Sequence, residues 1–482
     1  MIFHSLDFLV FFAVVVSIYW RLSHRWQNIW LLGASYVFYG WVHPWFVILM
    51  LVSTTVDYWA AQRMEEDPGR KKAYLYASLT ANLGMLGVFK YYNFFVENVR
   101  EVLASLGLSV SPPVLELVLP AGISFYTFQA LSYTVEVYWG HMKARRNPVD
   151  FALFVAFFPH LVAGPIMRAM NLLVQVEQPR TWNTDRARNA VLLIVWGFVK
   201  KLVVADNVGV IANRVFSHQD PSFEMLWAGV FAFGLQIYAD FSAYSDIARG
   251  TARWFGFELI LNFNHPYIAH SPTDFWHRWH ISLSTWFRDF VYIPLGGNRV
   301  PALQREANLM ATFLISGLWH GASWNYVLWG LYHGTLVVVT RTVGRLLRLP
   351  AKWPGPLAIV QIVLTVSAAF AGWLFFRETN PDFLRRWLVL SPAESTVMER
   401  QVGAYLFVLA ATWGVPLFLD DLWALGRERG VRLVRWAESR WEAMGPASVS
   451  RALLQAAAAG AMVTLILVLR SRVSLDFIYF QF

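Results

Sequence analysis

Long apolar runs separated by short basic loops set the pattern of this chain. Met1 to Trp20 is apolar and is followed by Arg21 and Arg25. Runs from Asn28 to Trp41 and from Trp45 to Gln62 meet at a His43-Pro44 turn, and the loop R-M-E-E-D-P-G-R-K-K follows. Apolar runs of this length predict membrane helices, and their basic loops predict the cytoplasmic side. The first run has neither a basic residue before it nor a small-residue cleavage site, so a retained span is expected rather than a signal peptide. A fourth run ends in F-K-Y-Y-N-F-F around Lys90, and the Pro- and Ser-bearing stretch to Pro113 reads as a connection. Further runs lie near Leu357 to Phe376, up to Asp420, and from Ala452 to Leu469. Alternating them predicts about 11 to 13 membrane segments in one domain, 1–482, with both termini outside the cytoplasm.

Several runs carry more polarity than lipid tolerates. Ser124, Thr127, Gln129, Ser132, Thr134 and Glu136 fall within one span, which places it against protein or a cavity. Phe151 to Pro165 is too short to cross and is broken by Pro159, Gly164 and Pro165, so a re-entrant segment is expected. Lys200 and Lys201 read either as snorkelling groups or a helix break at the cytoplasmic boundary, or as cations of which one attracts an anionic donor. Asp240 and Asp246 read either as a pair that binds a cation or orients a histidine, or as ion-pair partners of Arg249 and Arg253. The stretch V-R-L-V-R-W-A-E-S-R-W-E-A alternates at helical period, with Val431, Val434 and Trp441 on one side of an interfacial helix.

The densest chemistry lies between Ser271 and His333. Ser271 caps a predicted helix with Pro272 in its first position and Asp274 three residues after the cap, running to about Tyr292. On it His277, His280 and Ser284 share a side, and Asp274 can pair with Arg278. With Trp276, Trp279 and Trp286 added, the helix suits an interface or an aqueous cavity better than lipid or bulk water. From Arg305, fifteen further residues reach His320, roughly 22 Å at helical rise. That puts an imidazole well inside a ~30 Å hydrocarbon layer, where an ionisable group is a functional-site candidate. Gly317 and Gly321 leave room for a substrate or a neighbouring backbone. A single histidine on an apolar helix is more often a hydrogen-bonded core group, but His280 and His333 on adjacent elements shift the reading towards function.

Composition narrows the class. With 57% hydrophobic and 15% charged residues, against about 25% charged in soluble domains, the chain reads as an integral membrane protein. The net charge of +9 sits in loops between apolar runs, a membrane-orientation pattern rather than a nucleic-acid one. Without cysteine there is no disulfide, no thiolate metal site and no acyl-cysteine. His277 and His280 supply one H-x-x-H pair and no repeated histidine boxes, so no metal is expected. A transporter should show internal symmetry, and none is visible.

Two segments, F-W-H-R-W-H-I-S-L-S-T-W-F-R-D-F-V-Y-I-P-L-G-G-N-R and G-L-W-H-G-A-S-W-N-Y-V-L-W-G-L-Y-H-G, resemble the membrane-bound O-acyltransferases. The likeness is to the branch that includes the membrane component of alginate O-acetylation and the protein that D-alanylates teichoic acids. F-F-P-H-L-V-A-G-P-I-M-R, D-F-S-A-Y-S-D and the terminal F-I-Y-F-Q-F also resemble that family, with His160 standing where glutamine is usual and given a hydrogen-bonding role. The resemblance implies an all-α polytopic fold with re-entrant and interfacial helices around a central passage. It implies that His320 is the essential histidine and His280 the second polar group. Ser284, Trp279, Trp319, Gly317, Gly321, Asn325 and His333 are expected to line the passage or orient substrate, and Asp240, Asp246 and Gln129 to be structural. No bound cofactor is expected, with acetyl coenzyme A as donor substrate. Donor and acceptor are expected to meet from opposite sides of the membrane at His320. The implied setting is the bacterial inner membrane, with an exported polysaccharide such as alginate as acceptor and a periplasmic acetyltransferase of the SGNH-hydrolase kind as partner. D-alanyl transfer to a cell-wall polymer and a non-enzymatic flippase are the alternatives.

Overall fold

The computed structural model describes residues 1–108 and 113–478. Part of the connection before Pro113 and the last four residues of F-I-Y-F-Q-F lie outside the described residues. Among the described residues all regular structure is helical. Leu357–Arg377, Val397–Glu428 and Val449–Leu469 are long and apolar enough to cross a membrane by length and composition alone. Val449–Leu469 has only Gln455 buried, as a helix wrapped in lipid should. Other apolar runs are shorter, such as Leu6–Tyr19, or pass into π-turns, as at Gly87–Tyr91, Val199–Ala205 and Arg288–Tyr292. The chain is an all-α, multi-pass membrane protein.

The fold divides into two compact units, residues 1–183 with 251–260, and residues 184–250 with 261–478. In the first, the polar helix Ile123–Trp139 is buried along almost its whole length. Its polar groups find partners, as buried ones must. Thr134 donates to Asp57 at 3.1 Å, and that carboxylate also accepts from Ser78 and from Asn82 at 3.0 Å. The Gln129 amide oxygen lies 2.7 Å from the His160 Nε2. His160 belongs to the interrupted segment, where the nine-residue helix Pro148–Ala156 gives way to buried irregular backbone. Nine residues rise about 13 Å, less than half of a hydrocarbon layer. Gly122, at φ 78°, lets this segment approach, because a Cβ there would stand 2.8 Å from the Leu161 carbonyl oxygen.

In the second unit, the π-turn Val199–Ala205 aims both lysines inward. Lys201 bridges Asp206 at 3.0 Å and Asp240 at 2.8 Å, with all three side chains no more than 2% exposed. Lys200 pairs with Asp246 at 2.6 Å and donates to the Ser242 hydroxyl at 3.0 Å. Of the sequence readings, the helix break is met by the π-turn that carries both lysines, whereas snorkelling and the capture of an anion are replaced, because each ammonium already holds a carboxylate. Asp246 also takes Arg249 at 3.2 Å, so the expected arginine pair forms beside the lysine pair. The segment after Leu469 returns to this cluster. The Leu475 carbonyl accepts from Lys201 at 2.7 Å, the Ile478 amide donates to Asp240, and the Phe477 ring lies 4.6 Å from the Lys201 ammonium. The amphipathic stretch forms the helix Arg432–Ala443, with Val434 its one buried residue.

Candidate functional site

The helix expected from Ser271 to Tyr292 starts as its sequence dictates. Ser271 accepts from the Asp274 amide at 3.1 Å, Pro272 occupies the first turn, and Arg278 pairs with Asp274 at 2.9 Å. It then stops at Arg278. Trp279 is extended, His280 takes left-handed backbone angles (φ 43°, ψ 53°), and a new helix runs from Ile281 to Phe287 before the π-turn Arg288–Tyr292. One continuous helix was the wrong expectation, and His277, His280 and Ser284 do not share a helical stripe. His277 is exposed, whereas His280 is buried. A left-handed non-glycine residue costs roughly 1 to 3 kcal/mol and survives only where surrounding structure imposes it, which is common at functional sites.

Two further helices, Ala302–His320 and Trp324–Leu346, form a tight antiparallel hairpin. Its contact is lined by small residues. A Cβ on Gly317 would collide with the Tyr326 carbonyl, and one on Gly330 with the Phe313 carbonyl. Gly330 and Gly334 form the G-x-x-x-G spacing that allows helix backbones to approach closely. Gly321 faces the Tyr326 ring. Space beside both Gly317 and Gly321 is therefore filled by the second helix of the hairpin, and the role expected for them in a substrate passage gives way to helix packing. Gly317→Leu is expected to lower the yield and thermal midpoint of folded protein by roughly 1 to 3 kcal/mol equivalent through overpacking, rather than to block transfer selectively. Size-exclusion chromatography of a detergent-solubilised fluorescent fusion reads this directly, and a normal, stable peak would contradict it.

The other face of the 302–320 helix borders a cavity of about 610 Å³. Leu309, Thr312, Phe313, Ser316 and His320 line it at spacings of three and four, one helical stripe. Trp279, His280 and Ser284 form another wall, and Arg288, Asn298 and Arg341 also border it. Arg341 follows Trp324 by seventeen residues, roughly 25 Å of helix away from the turn that carries His320. The cavity is therefore long, basic at one end and bordered by imidazole at the other. At the imidazole end the His280 and His320 rings lie 6.4 Å apart. His320 is half-buried, with the Trp319 and Trp329 rings each 5.0 Å away and Phe376 at 5.3 Å. The Ser284 hydroxyl donates to the Trp279 carbonyl at 3.1 Å and closes the turn around His280.

Not every expected site residue borders this space. His333 is buried behind it, 5.1 Å from both Trp276 and Trp329, and Gly372 packs against its ring. Trp329 touches both His320 and His333, so the expected contribution of His333 to a passage is replaced by a place in the aromatic layer behind His320. Asn325 is buried at the start of its helix, donating to the Phe375 carbonyl at 3.2 Å, and Trp319 is buried beside both site histidines. Asp240 and Asp246 belong to the lysine cluster and Gln129 to the first unit. Sequence reasoning missed Thr312, Ser316 and Arg341. The signal was the polar stripe of Thr312 and Ser316 leading to His320 on an otherwise apolar helix.

An imidazole pair at one end of a long cavity, His280 buried and His320 half-buried, suits transfer of a group between two substrates, one imidazole accepting a proton and the other stabilising negative charge. Residues 142–377 match the MBOAT, membrane-bound O-acyltransferase family. A probable alginate O-acetylase of Pseudomonas aeruginosa is 42% identical over 390 residues, covering 79% of this chain and 72% of that protein. Another from Azotobacter vinelandii is 39% identical over 435 residues, covering 87% and 86%. A peptidoglycan O-acetyltransferase of Helicobacter pylori is 34% identical over 382 residues, covering 73% and 71%. A teichoic acid D-alanyltransferase of Streptococcus thermophilus is 30% identical over 263 residues, covering 51% and 63%. At these identities and coverages the chain belongs to the membrane-bound O-acyltransferase family and is an O-acyltransferase.

Proposed function

We propose that this protein moves an acetyl group from acetyl coenzyme A into O-acetylation of an exported polysaccharide, alginate first, from the bacterial inner membrane. The single observation that carries the reading is the cavity bordered by Arg341 at one end and by His280 and His320 at the other, with Arg288 also on its wall. Arg341 and Arg345 lie near the end of the helix Trp324–Leu346, which leads into a segment with Arg348 and Lys352, a basic cluster that the positive-inside pattern assigns to the cytoplasm. Coenzyme A carries phosphates that cannot enter lipid, and guanidinium groups at the mouth suit them. Its pantetheine arm is long and thin enough to follow the cavity to His320.

There the chemistry needs little else. His320 takes the proton of the attacking hydroxyl, the hydroxyl oxygen bonds to the thioester carbonyl carbon, and His280 faces the oxygen that gains charge. The tetrahedral intermediate collapses by breaking the C–S bond, the thiolate leaves, and the proton on His320 returns to it. The attacking hydroxyl belongs to the polymer or to a periplasmic acetyltransferase of the SGNH-hydrolase kind that completes delivery. Acetyl is favoured over D-alanyl because relatives named for acetyl transfer reach 42% identity, against 30% for the D-alanyl enzyme. Peptidoglycan is the second acceptor, favoured by the 34% relative.

Arg341→Ala tests the donor end. It is expected to raise the KM for acetyl coenzyme A by about 10-fold with kcat unchanged, the loss of one charge-assisted contact made equally in ground and transition states. An unchanged KM removes the donor from this mouth. Deletion of the gene, followed by ester-acetyl analysis of the exported polymer, tests the acceptor, and undiminished acetylation of alginate excludes it.

A further inference from the structure

We propose that Asn262 is a positioning residue for His280, holding the left-handed backbone that aims its imidazole into the cavity. The inference rests on the reading of His280 as a site group. At the junction between the two helices, His280 stands where a capping residue would, and its side chain makes no cap for the helix Ile281–Phe287. The first amides of that helix need partners from elsewhere. Asn262 supplies them. Its carbonyl oxygen accepts from the Ile281 amide at 2.9 Å, and its side-chain oxygen accepts from the Ser282 hydroxyl at 2.9 Å and the Ser282 amide at 3.3 Å. Its side-chain nitrogen donates to the Ser245 hydroxyl at 3.2 Å, which ties it to the helix Phe223–Trp254. Asn262 is fully buried, and it does not border the cavity.

The same short strand of chain brackets His280 on its other side. The Asn264 amide donates to the Arg278 carbonyl at 2.9 Å, so residues 262 and 264 grip positions 281 and 278 and leave the backbone no route between them except a sharp reversal at 280. Phe263, between the two grips, lies against both Trp279 and His280, at 5.0 and 6.4 Å between ring centroids. Arg278 is itself fixed, by Asp274 and by Glu428 at 2.8 Å. The Asn262 side chain accepts and donates at once, which serine or alanine cannot do in that geometry. Aspartate keeps the accepting half, and the Ser245 hydroxyl can turn to donate to it.

The test uses the full chain in native membrane vesicles and reads the initial rate of coenzyme A release from acetyl coenzyme A. Asn262→Ala is expected to lower kcat by about 10- to 100-fold, the effect of an imidazole displaced by about an ångström, while the KM for acetyl coenzyme A stays unchanged. Asn262→Asp is expected to stay within about 3-fold of the native rate, since it keeps the helix-capping oxygen. The deciding measurement is the double variant. If Asn262 acts through His280, Asn262→Ala adds no further loss to His280→Ala. Losses that multiply in the double variant overturn the positioning role while leaving the site reading intact. A native rate in His280→Ala overturns both. Should Asn262→Ala fail to accumulate, Ser282→Ala removes the other end of the same hydrogen bond and is read by the same cycle, with the same two outcomes.

Discussion

Replacing His320 with alanine is expected to abolish acyl transfer, by about 10²- to 10⁴-fold if it is the general base, while folded protein accumulates normally. The substitution removes a half-buried ring that borders a cavity on one side, so few packing contacts are lost. Trp319, Trp329 and Phe376, the rings around it, are held by their own helices and do not need the imidazole to stay in place. Activity and stability should therefore separate. The measurement is coenzyme A release from acetyl coenzyme A beside the thermal unfolding midpoint of the same preparation. Because the chain has no cysteine, the released thiol is read without background from the protein itself. A well-folded variant that transfers at the native rate would falsify the assignment of the base. His320→Gln keeps volume and hydrogen bonding but cannot shuttle a proton at neutral pH, so it should be as inactive as the alanine variant.

The largest effect on stability is expected at Lys201. Its ammonium sits between Asp206 and Asp240 with almost no access to solvent. Lys201→Met conserves most of the volume and leaves two buried carboxylates facing each other with the intervening cation gone. Removing one member of a buried pair typically costs about 3 to 5 kcal/mol, because the remaining charge stays desolvated and uncompensated. The expected outcome is a steep fall in thermal midpoint and in yield, in contrast to His320→Ala. The variant with Lys201→Met, Asp206→Asn and Asp240→Asn together should regain part of the loss, since it leaves no net charge buried. Equal stability of Lys201→Met and the native chain would mean that the cluster carries little of the fold.

The capped start of the central helix was legible because Ser271, Pro272 and Asp274 each act within one turn, and local chemistry is what sequence spacing reports. The break at His280 was not. A left-handed histidine carries no mark in its own neighbourhood, and its cause is Asn262, which grips the following residues from eighteen positions upstream. The lysines illustrate the same limit. Charge within an apolar run was visible at Lys200 and Lys201, but apart from Asp206, five positions on, their partners lie about forty residues away at Asp240 and Asp246, and no periodicity joins such distant positions. That His320 ends a helix running up from Arg305 followed from simple helical spacing. Its separation from His333 did not, because nothing in G-L-Y-H-G tells which face of the helix meets Trp329 and which meets the cavity. The stripe of Leu309, Thr312, Ser316 and His320, which marks one wall of the site, has helical spacing, yet Thr312 and Ser316 were missed because two small hydroxyls on an apolar helix are as common in plain packing.

The return of the 471–478 segment to the lysine cluster sets a clock on biosynthesis. Lys201 and its Leu475 partner are 274 residues apart, and Asp240 and Ile478 are 238 apart. At about 5 to 20 residues per second, a ribosome takes roughly 10 to 50 s to make the intervening chain. During that interval the helices that bear Lys201 and Asp240 have left the ribosome, yet two of the hydrogen bonds that seal their charges in the bilayer do not exist. In that window Lys201 has its two carboxylates but not the Leu475 carbonyl, and Asp240 lacks the Ile478 amide, so a chain stalled downstream of residue 240 is expected to be more sensitive to proteolysis than the finished protein.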